Sequence, residues 1–297
     1  MNSGKTTEYK GYVQILIGGA LWGTIGLFVL LLEQCGSNAT FTSFLRMTFS
    51  FLIMFAITSF KFGIRAFKVD KKTLLSCAIL GVLCQALNGL LYSFSIVEIR
   101  VSFSAILMNV GPPFTAFLSW LLFSEKVTAV KKIAMFINIL GCILAVTGGN
   151  IENNGVSFIG ILYGVGAGLA CALMPIIGKI IGANCSVYVM GTYGYFFAII
   201  TLLIFTNPLQ YISLINGKML IVGFLFALIA TVIAYLFYYM GVQNVKEMSK
   251  VPVIASVETV VSVMIGVYIY NEPLGLVNIA GVILVMGSIL LMNKKAE

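Results

Sequence analysis

The sequence predicts an all-α integral membrane protein, with ten transmembrane helices arranged as two inverted five-helix repeats. Three observations carry that prediction. The chain of 297 residues is 60% hydrophobic and only 9% charged, where a soluble domain carries about 25% charged residues. Its apolar residues come in continuous runs of about 20, the length that crosses a bilayer as an α-helix. One stretch also returns half a chain later: SFSAILMNVGPPFTAFLSWLLFSEKVT at 102–128 is echoed by SKVPVIASVETVVSVMIGVYIYNEPLG at 249–275. Setting Glu125 against Glu272 also sets Ser102 against Ser249.

In chain order the runs cover 11–32, 41–60, 73–97, 102–123, 127–149, 157–180, 186–206, 219–242, 251–270 and 274–292. The first follows Lys5 and Lys10 as a signal peptide would, but it is too long and no small-x-small site follows, so it reads as a retained helix. It carries Gly19 and Gly23 at close-packing spacing, with Trp22 near midspan. The second carries Arg46. The third sets Gln85, Asn88 and Tyr92 three and four apart, on one face. The fourth carries Asn109 and the doubled Pro112-Pro113. Two lost backbone donors make it the helix where a break is expected. The fifth follows Glu125-Lys126. In the sixth, Gly160, Gly164 and Gly168 line one face for packing. The eighth holds Tyr235 and Tyr239, again on one face. The ninth carries Glu258 near the bilayer midplane, seven residues beyond Val251, and stops at Asn271-Glu272-Pro273.

The hydrophilic gap at 150–156 is expected to be an external linker between a first repeat over 1–149 and a second over 157–297. Five helices is an odd number, so the two halves must run oppositely through the bilayer. Short connections favour antiparallel neighbours. With the N-terminus placed in the cytoplasm, every Lys and Arg except Arg46, Arg100 and Lys218 falls in a cytoplasmic segment. That bias predicts an inner-membrane protein with both termini cytoplasmic. The net charge of +8 is then a loop property and implies no nucleic-acid partner. Lys61, Arg65, Lys68, Lys71 and Lys72 form a basic face suited to anionic headgroups.

Several function classes lose support. There is no histidine, which removes His-based triads, His-ligated metal sites and His proton relays. The six cysteines contain no C-x-x-C pair and mostly lie in apolar runs, as small hydrophobes. No Gly-rich phosphate loop with Lys is present, and the only aspartate, Asp70, sits in a loop. No enzyme constellation, cofactor or metal is expected.

Glu258 is the leading functional residue, because an acid inside a membrane is costly. It can titrate a proton or oppose an ammonium group; the alternative is an acid held neutral by hydrogen bonds within the packing. Arg46 can bind a carboxylate bidentately, pair with Glu33 or Glu98, or snorkel to the outer interface. Trp22, Gln85, Asn88, Tyr92, Asn109, Tyr235 and Tyr239 are candidate cavity walls, with ordinary interhelical hydrogen bonds or packing as the alternative. Glu125 and Glu272, at helix ends, are read as caps on neighbouring helices with a structural or gating role, beside Pro112 and Pro113.

The residues at 81–128 and 227–291, with Phe44-Leu45-Arg46 in the second helix, resemble EamA-type carriers of the drug/metabolite transporter superfamily. The similarity spans nearly the whole chain in two copies. It implies a ten-helix inverted-repeat carrier of small metabolites, often exporting amino acids. The family's proline after the acid of the ninth helix is absent: Thr259 follows Glu258. Inverted repeats commonly place the substrate near the midplane, where they meet. The expectation is a secondary transporter working by alternating access, with protons as the candidate coupling ion and a monomeric or homodimeric state. An exporter of cationic or aromatic drugs, with Glu258, Trp22, Tyr92 and Tyr235 as a cation site, is the alternative. A non-transporting membrane scaffold is the third.

Overall fold

The computed structural model describes residues 2–123, 128–148, 157–181, 185–245 and 251–292. Among them every regular element is a helix. Eight are long and apolar enough to cross a membrane: α1 Tyr9–Gln34, α2 Ala39–Phe62, α3 Lys71–Ile99, α4 Val101–Leu118, α5 Ala129–Thr147, α6 Phe158–Ile177, α7 Val187–Phe205 and α8 Gly217–Asn244. Two shorter apolar helices follow, α9 Val257–Tyr270 and α10 Leu276–Leu291. Glu125 and the 150–156 linker lie outside the described residues.

Local chemistry starts these helices where the chain leaves its loops. Asn38 caps α2 at the Phe41 N–H, 2.8 Å away, and Ser186 and Asn216 do the same for α7 and α8. Such caps satisfy N–H groups that a helix leaves open. Asp70 caps α3 at the Lys72 and Thr73 N–H groups. The Thr73 hydroxyl and these amides hold its carboxyl below the usual aspartate range.

The exterior is apolar, and the few polar side chains of the helices are gathered inside, among the apolar core. Phe136 and Ile204 are 69% and 78% exposed, whereas Arg46 is 5% exposed and Asn138 and Ser288 are fully buried. That inversion suits a surrounding of hydrocarbon. Helices from the two ends of the chain pack together: α1 on α8, α3 on α6, α2 on α7, α4 on α9 and α5 on α10. The glycine stripe of α6 makes one of these contacts close. A Cβ at Gly160 would meet Glu98 and Ile99, and one at Gly168 would meet the Leu107 carbonyl at 3.0 Å.

The α5–α10 pair is tied at two levels. Asn138 donates to Ser288 at 2.9 Å and Asn278 to the Ala145 carbonyl at 2.8 Å. Between them Gly141 and Gly281 face each other, and a Cβ at Gly281 would strike the Ala145 backbone and come within 2.7 Å of the Gly141 carbonyl. Backbone cannot swing aside as a long side chain can. Gly281→Ala is therefore expected to destabilise the protein by about 1–3 kcal/mol, read as a lower melting temperature in detergent.

Three irregularities interrupt the helices, one of them where the sequence expects it. The run at 251–270 is not one helix: Val251–Ala255 ends at Ser256 before α9 begins. At Ser256 ψ is −8° and its carbonyl accepts from Thr259, three residues on, rather than four. No proline or glycine marks this break. The expected break in α4 is present, one turn before its doubled proline. Met108–Val110 tighten into a 3-10 turn, and Pro112 and Pro113 then sit in the first turn of the following segment, where a missing N–H costs little. The offset that matches Glu125 to Glu272 matches Asn109 to Ser256, so both halves bend at corresponding places. Finally, α3 and α8 contain π-helical segments, Leu80–Leu87 and Leu228–Ile233, which hydropathy cannot reveal.

The break before α9 is seated against α1, itself interrupted at Gly23-Thr24. A Cβ at Gly19 would lie 2.8 Å from the Ala255 carbonyl, and one at Gly23 2.8 Å from that of Glu258. The Ser262 hydroxyl donates to the Gly23 carbonyl at 3.0 Å. Small residues thus let two interrupted helices meet and tie their backbones together.

Candidate functional site

Two internal chambers meet at Glu258. The first, about 40 Å³, is bounded by α2, α3, α7 and α8 and lined by Arg46, Gln85, Asn88, Tyr92, Tyr195, Thr231 and Tyr235. The second, about 80 Å³, is bounded by α4, α6 and the chain around Ser256, and is lined by Asn109, Pro112, Thr115, Ala172, Pro175, Tyr238 and Thr259. Trp22, Met108, Cys171, Met174 and Glu258 line both. By roughly 10–15 Å³ for each water, the smaller chamber holds about three and the larger five to eight.

Glu258 stands at this waist in the first turn of α9, directly after the Ser256 break. The break gives the acid a helix start in the interior of the protein. The N–H groups and dipole of such a start favour a carboxylate. The missing proline is therefore no obstacle to a break, because Ser256 makes the bend that the residue after the acid does not.

Arg46 faces the first chamber from α2. Its Cζ lies 5.2 Å from the centre of the Phe226 ring, and its Nη2 rests against Gly89, where a Cβ would collide with it. Among the described residues no salt bridge joins it to Glu33 or Glu98, the partners the sequence offered. Its Nε and the hydroxyls of Tyr92, Tyr195 and Tyr235 are buried without a protein hydrogen-bond partner. A buried polar group left unpaired costs about 1–3 kcal/mol, so four of them around one chamber make it a place for water or solute oxygens.

Aromatic rings connect the chambers. Tyr195 packs on Tyr235 with centroids 5.6 Å apart, Tyr235 on Tyr239 at 4.5 Å, Tyr239 on Tyr238 at 5.2 Å, and Tyr238 on Trp22 at 4.7 Å. Of these rings Trp22, Tyr195, Tyr235 and Tyr238 line the chambers beside the polar groups, and Tyr239 links them from behind.

The remaining sequence candidates divide. Asn88 lines the first chamber but also donates to the Ala167 carbonyl at 2.8 Å, tying α3 to α6. Asn109 lines the second and donates to the Thr259 hydroxyl at 2.8 Å, tying α4 to α9. Tyr239 lies behind Tyr235 and Tyr238 and borders neither chamber, and Pro113 likewise stands outside both. Glu272 is remote from the waist: its carboxylate accepts from the Val101 and Ser102 N–H groups at 2.8 and 3.0 Å and caps α4. It borders a separate hollow of about 330 Å³ with Glu98, Arg100 and Tyr270. Tyr195, Thr231, Met108 and Cys171 were not singled out by the sequence. Tyr195 carries a signal only in hindsight, as the inward member of the Tyr193-Gly194-Tyr195 triplet in α7.

A bundle of membrane-length helices around largely apolar chambers that share one acid has the form of a membrane transporter. The chain belongs to the EamA-like transporter family, whose model matches residues 9–147 and again 158–294. It is 22% identical over 281 residues to an uncharacterized transporter of Archaeoglobus fulgidus, covering 95% of each chain. A crystal structure of a protein 12% identical to it has a TM-score of 0.67 over 97% of this chain and 96% of that one; this likeness is one of fold.

Proposed function

We propose that the protein is a secondary carrier that exports an amino acid or related small metabolite across the cytoplasmic membrane by alternating access. In this reading ten helices form two inverted repeats, over 1–149 and 157–297, joined by an external linker, with both termini cytoplasmic. The observation that carries it is the position of Glu258, shared by two chambers that reach it from different helices. A single group approached from two sides is what alternating access requires. The cross-chain packing supports the repeat: exchanging the halves turns the α1–α8 pair into α6–α3 and leaves α2–α7, α4–α9 and α5–α10 unchanged. The matched bends at Asn109 and Ser256 and the matched π segments of α3 and α8 agree with it. Protons are the proposed coupling ion, since Glu258 can carry one or face a substrate cation. A monomer suffices, because both chambers are built within one chain.

Export of an organic cation is the second reading, favoured by the aromatic run from Trp22 to Tyr195. The unpaired Arg46 guanidinium in the same chamber opposes it. The deciding experiment is flux in proteoliposomes of labelled amino acids and of tetraphenylphosphonium, each with and without a proton gradient. Gradient-dependent amino-acid flux is expected. Movement of the phosphonium alone would support the second reading. No flux of either, with a stable partner protein co-purifying, would favour a scaffold.

A further inference from the structure

The first chamber asks for one kind of chemistry. Arg46 offers only donors, and a guanidinium remains charged in any protein setting. Around it the hydroxyls of Tyr92 and Tyr195 have no protein acceptor, and both tyrosines and Arg46 are at least nine-tenths buried. Asn88 donates to the Ala167 carbonyl and Thr231 back to the Phe226 carbonyl at 3.3 Å, so the donors left to a solute are those of Arg46, the tyrosines and the Gln85 amide, of which Arg46 alone is charged. Arg46, Tyr92 and Tyr195 come from three different helices, which no local folding requirement brings together. No acid among the described residues makes a salt bridge to Arg46, and the carboxylate that lines the same chamber, Glu258, lines the second one too.

We propose that Arg46 with Tyr92 and Tyr195 forms an oxyanion subsite that binds the carboxylate of a small zwitterion, whose ammonium group faces Glu258. The planar fork of the guanidinium matches a carboxylate with two parallel hydrogen bonds, and the phenols supply further donors to the same oxygens. The assignment rests on the carrier reading for the claim that the bound molecule is the one moved. It explains why the charge of Arg46 is kept unpaired: a structural partner would occupy the fork. It also gives Gly89 a role beyond packing, since only a residue without a side chain leaves the Nη2 nitrogen where it is. Quaternary ammonium ions carry no acceptor for these donors and meet a positive charge, so they are expected to bind weakly at this subsite.

The test is binding to purified full-length protein in detergent, by thermal shift and calorimetry, with the proteinogenic L-amino acids and their carboxamides. An amide keeps the side chain and ammonium group but removes the anion. At least one free acid is expected to bind, with its amide weaker by about tenfold or more. Arg46→Gln should weaken the acid by a similar factor and erase the preference over the amide. Gly89→Ala, which displaces the guanidinium without removing its charge, should shift the preference in the same direction, and it guards against an Arg46 variant that fails to fold. Equal binding of acid and amide, an unchanged preference in Arg46→Gln, or no response to any free acid would overturn the subsite. Flux is measured separately. Arg46-dependent binding without flux removes the carrier reading and keeps the subsite, whereas gradient-driven flux that Arg46→Gln leaves intact does the reverse.

Discussion

Glu258→Gln is expected to abolish gradient-driven flux in proteoliposomes while the protein still folds and purifies as a single species. Glutamine keeps the shape and hydrogen-bonding capacity of the side chain at the waist of the two chambers but has neither charge nor a proton to exchange. Loss of one partner from a buried charge pair costs at least about 2 kcal/mol, or a factor of about thirty in affinity, so an ammonium-bearing solute should also bind more weakly. Glu258→Asp retains the titrating group on a shorter arm and should keep part of the activity. The measurement is initial flux with and without an imposed proton gradient, set beside melting temperature and gel-filtration profile. Full flux in the glutamine variant would reduce Glu258 to a packing element.

Glu272→Ala acts on stability instead. Its carboxylate is only 9% exposed and holds two N–H groups at the start of α4. Removing it leaves both without a partner in the interior. Arg100, the residue just before, has φ of 109°, a conformation unusual for a residue other than glycine, and the cap helps to hold the chain there. The expected loss is about 3 kcal/mol, hence a melting temperature lower by roughly 6–12 °C. Gly266→Ala should give a similar result, because a Cβ there collides with the Ser102 hydroxyl and with the Glu272 carboxylate itself. If both variants melt like the parent protein, the cap contributes little and Glu272 must be explained by the outer hollow it borders.

The helices were legible because hydrocarbon demands long apolar runs, and a run is a property of composition. A membrane interior also makes polar residues conspicuous, which is why Glu258, Arg46, Trp22, Gln85, Asn88, Tyr92 and Tyr235 stood out and are found lining chambers. Deviations from regular helix left weaker traces. Ser256 bends the chain without proline or glycine, through a hydrogen bond that closes one residue early. Pro112 and Pro113 were the legible breakers, and α4 is interrupted at Met108–Val110, whose first two carbonyls they cannot bond. Tyr239 was paired with Tyr235 on spacing alone, yet the interior is curved enough that one ring lines a chamber and the other stands behind it. The solitary state of Arg46 could not be read from sequence either, since Glu33 and Glu98 lie near enough in the chain to serve as partners, and only the packing of helices keeps them away.

The π-helical segments of α3 and α8 carry a consequence of their own. Each holds residues of the first chamber or leads directly into them: Cys84 and Gln85 within Leu80–Leu87, followed by Asn88 and Tyr92, and Ala230 and Thr231 within Leu228–Ile233, followed by Tyr235. Wider turns accommodate extra residues, and each residue in an α-helix advances the azimuth by about 100°. Deleting one residue from Leu80–Leu87 would let that stretch regularise and would swivel the inward-facing set toward a neighbour or the acyl chains. A chain with every recognition residue still encoded would then present a blank wall, so composition alone is a poor guide to which relatives share its selectivity.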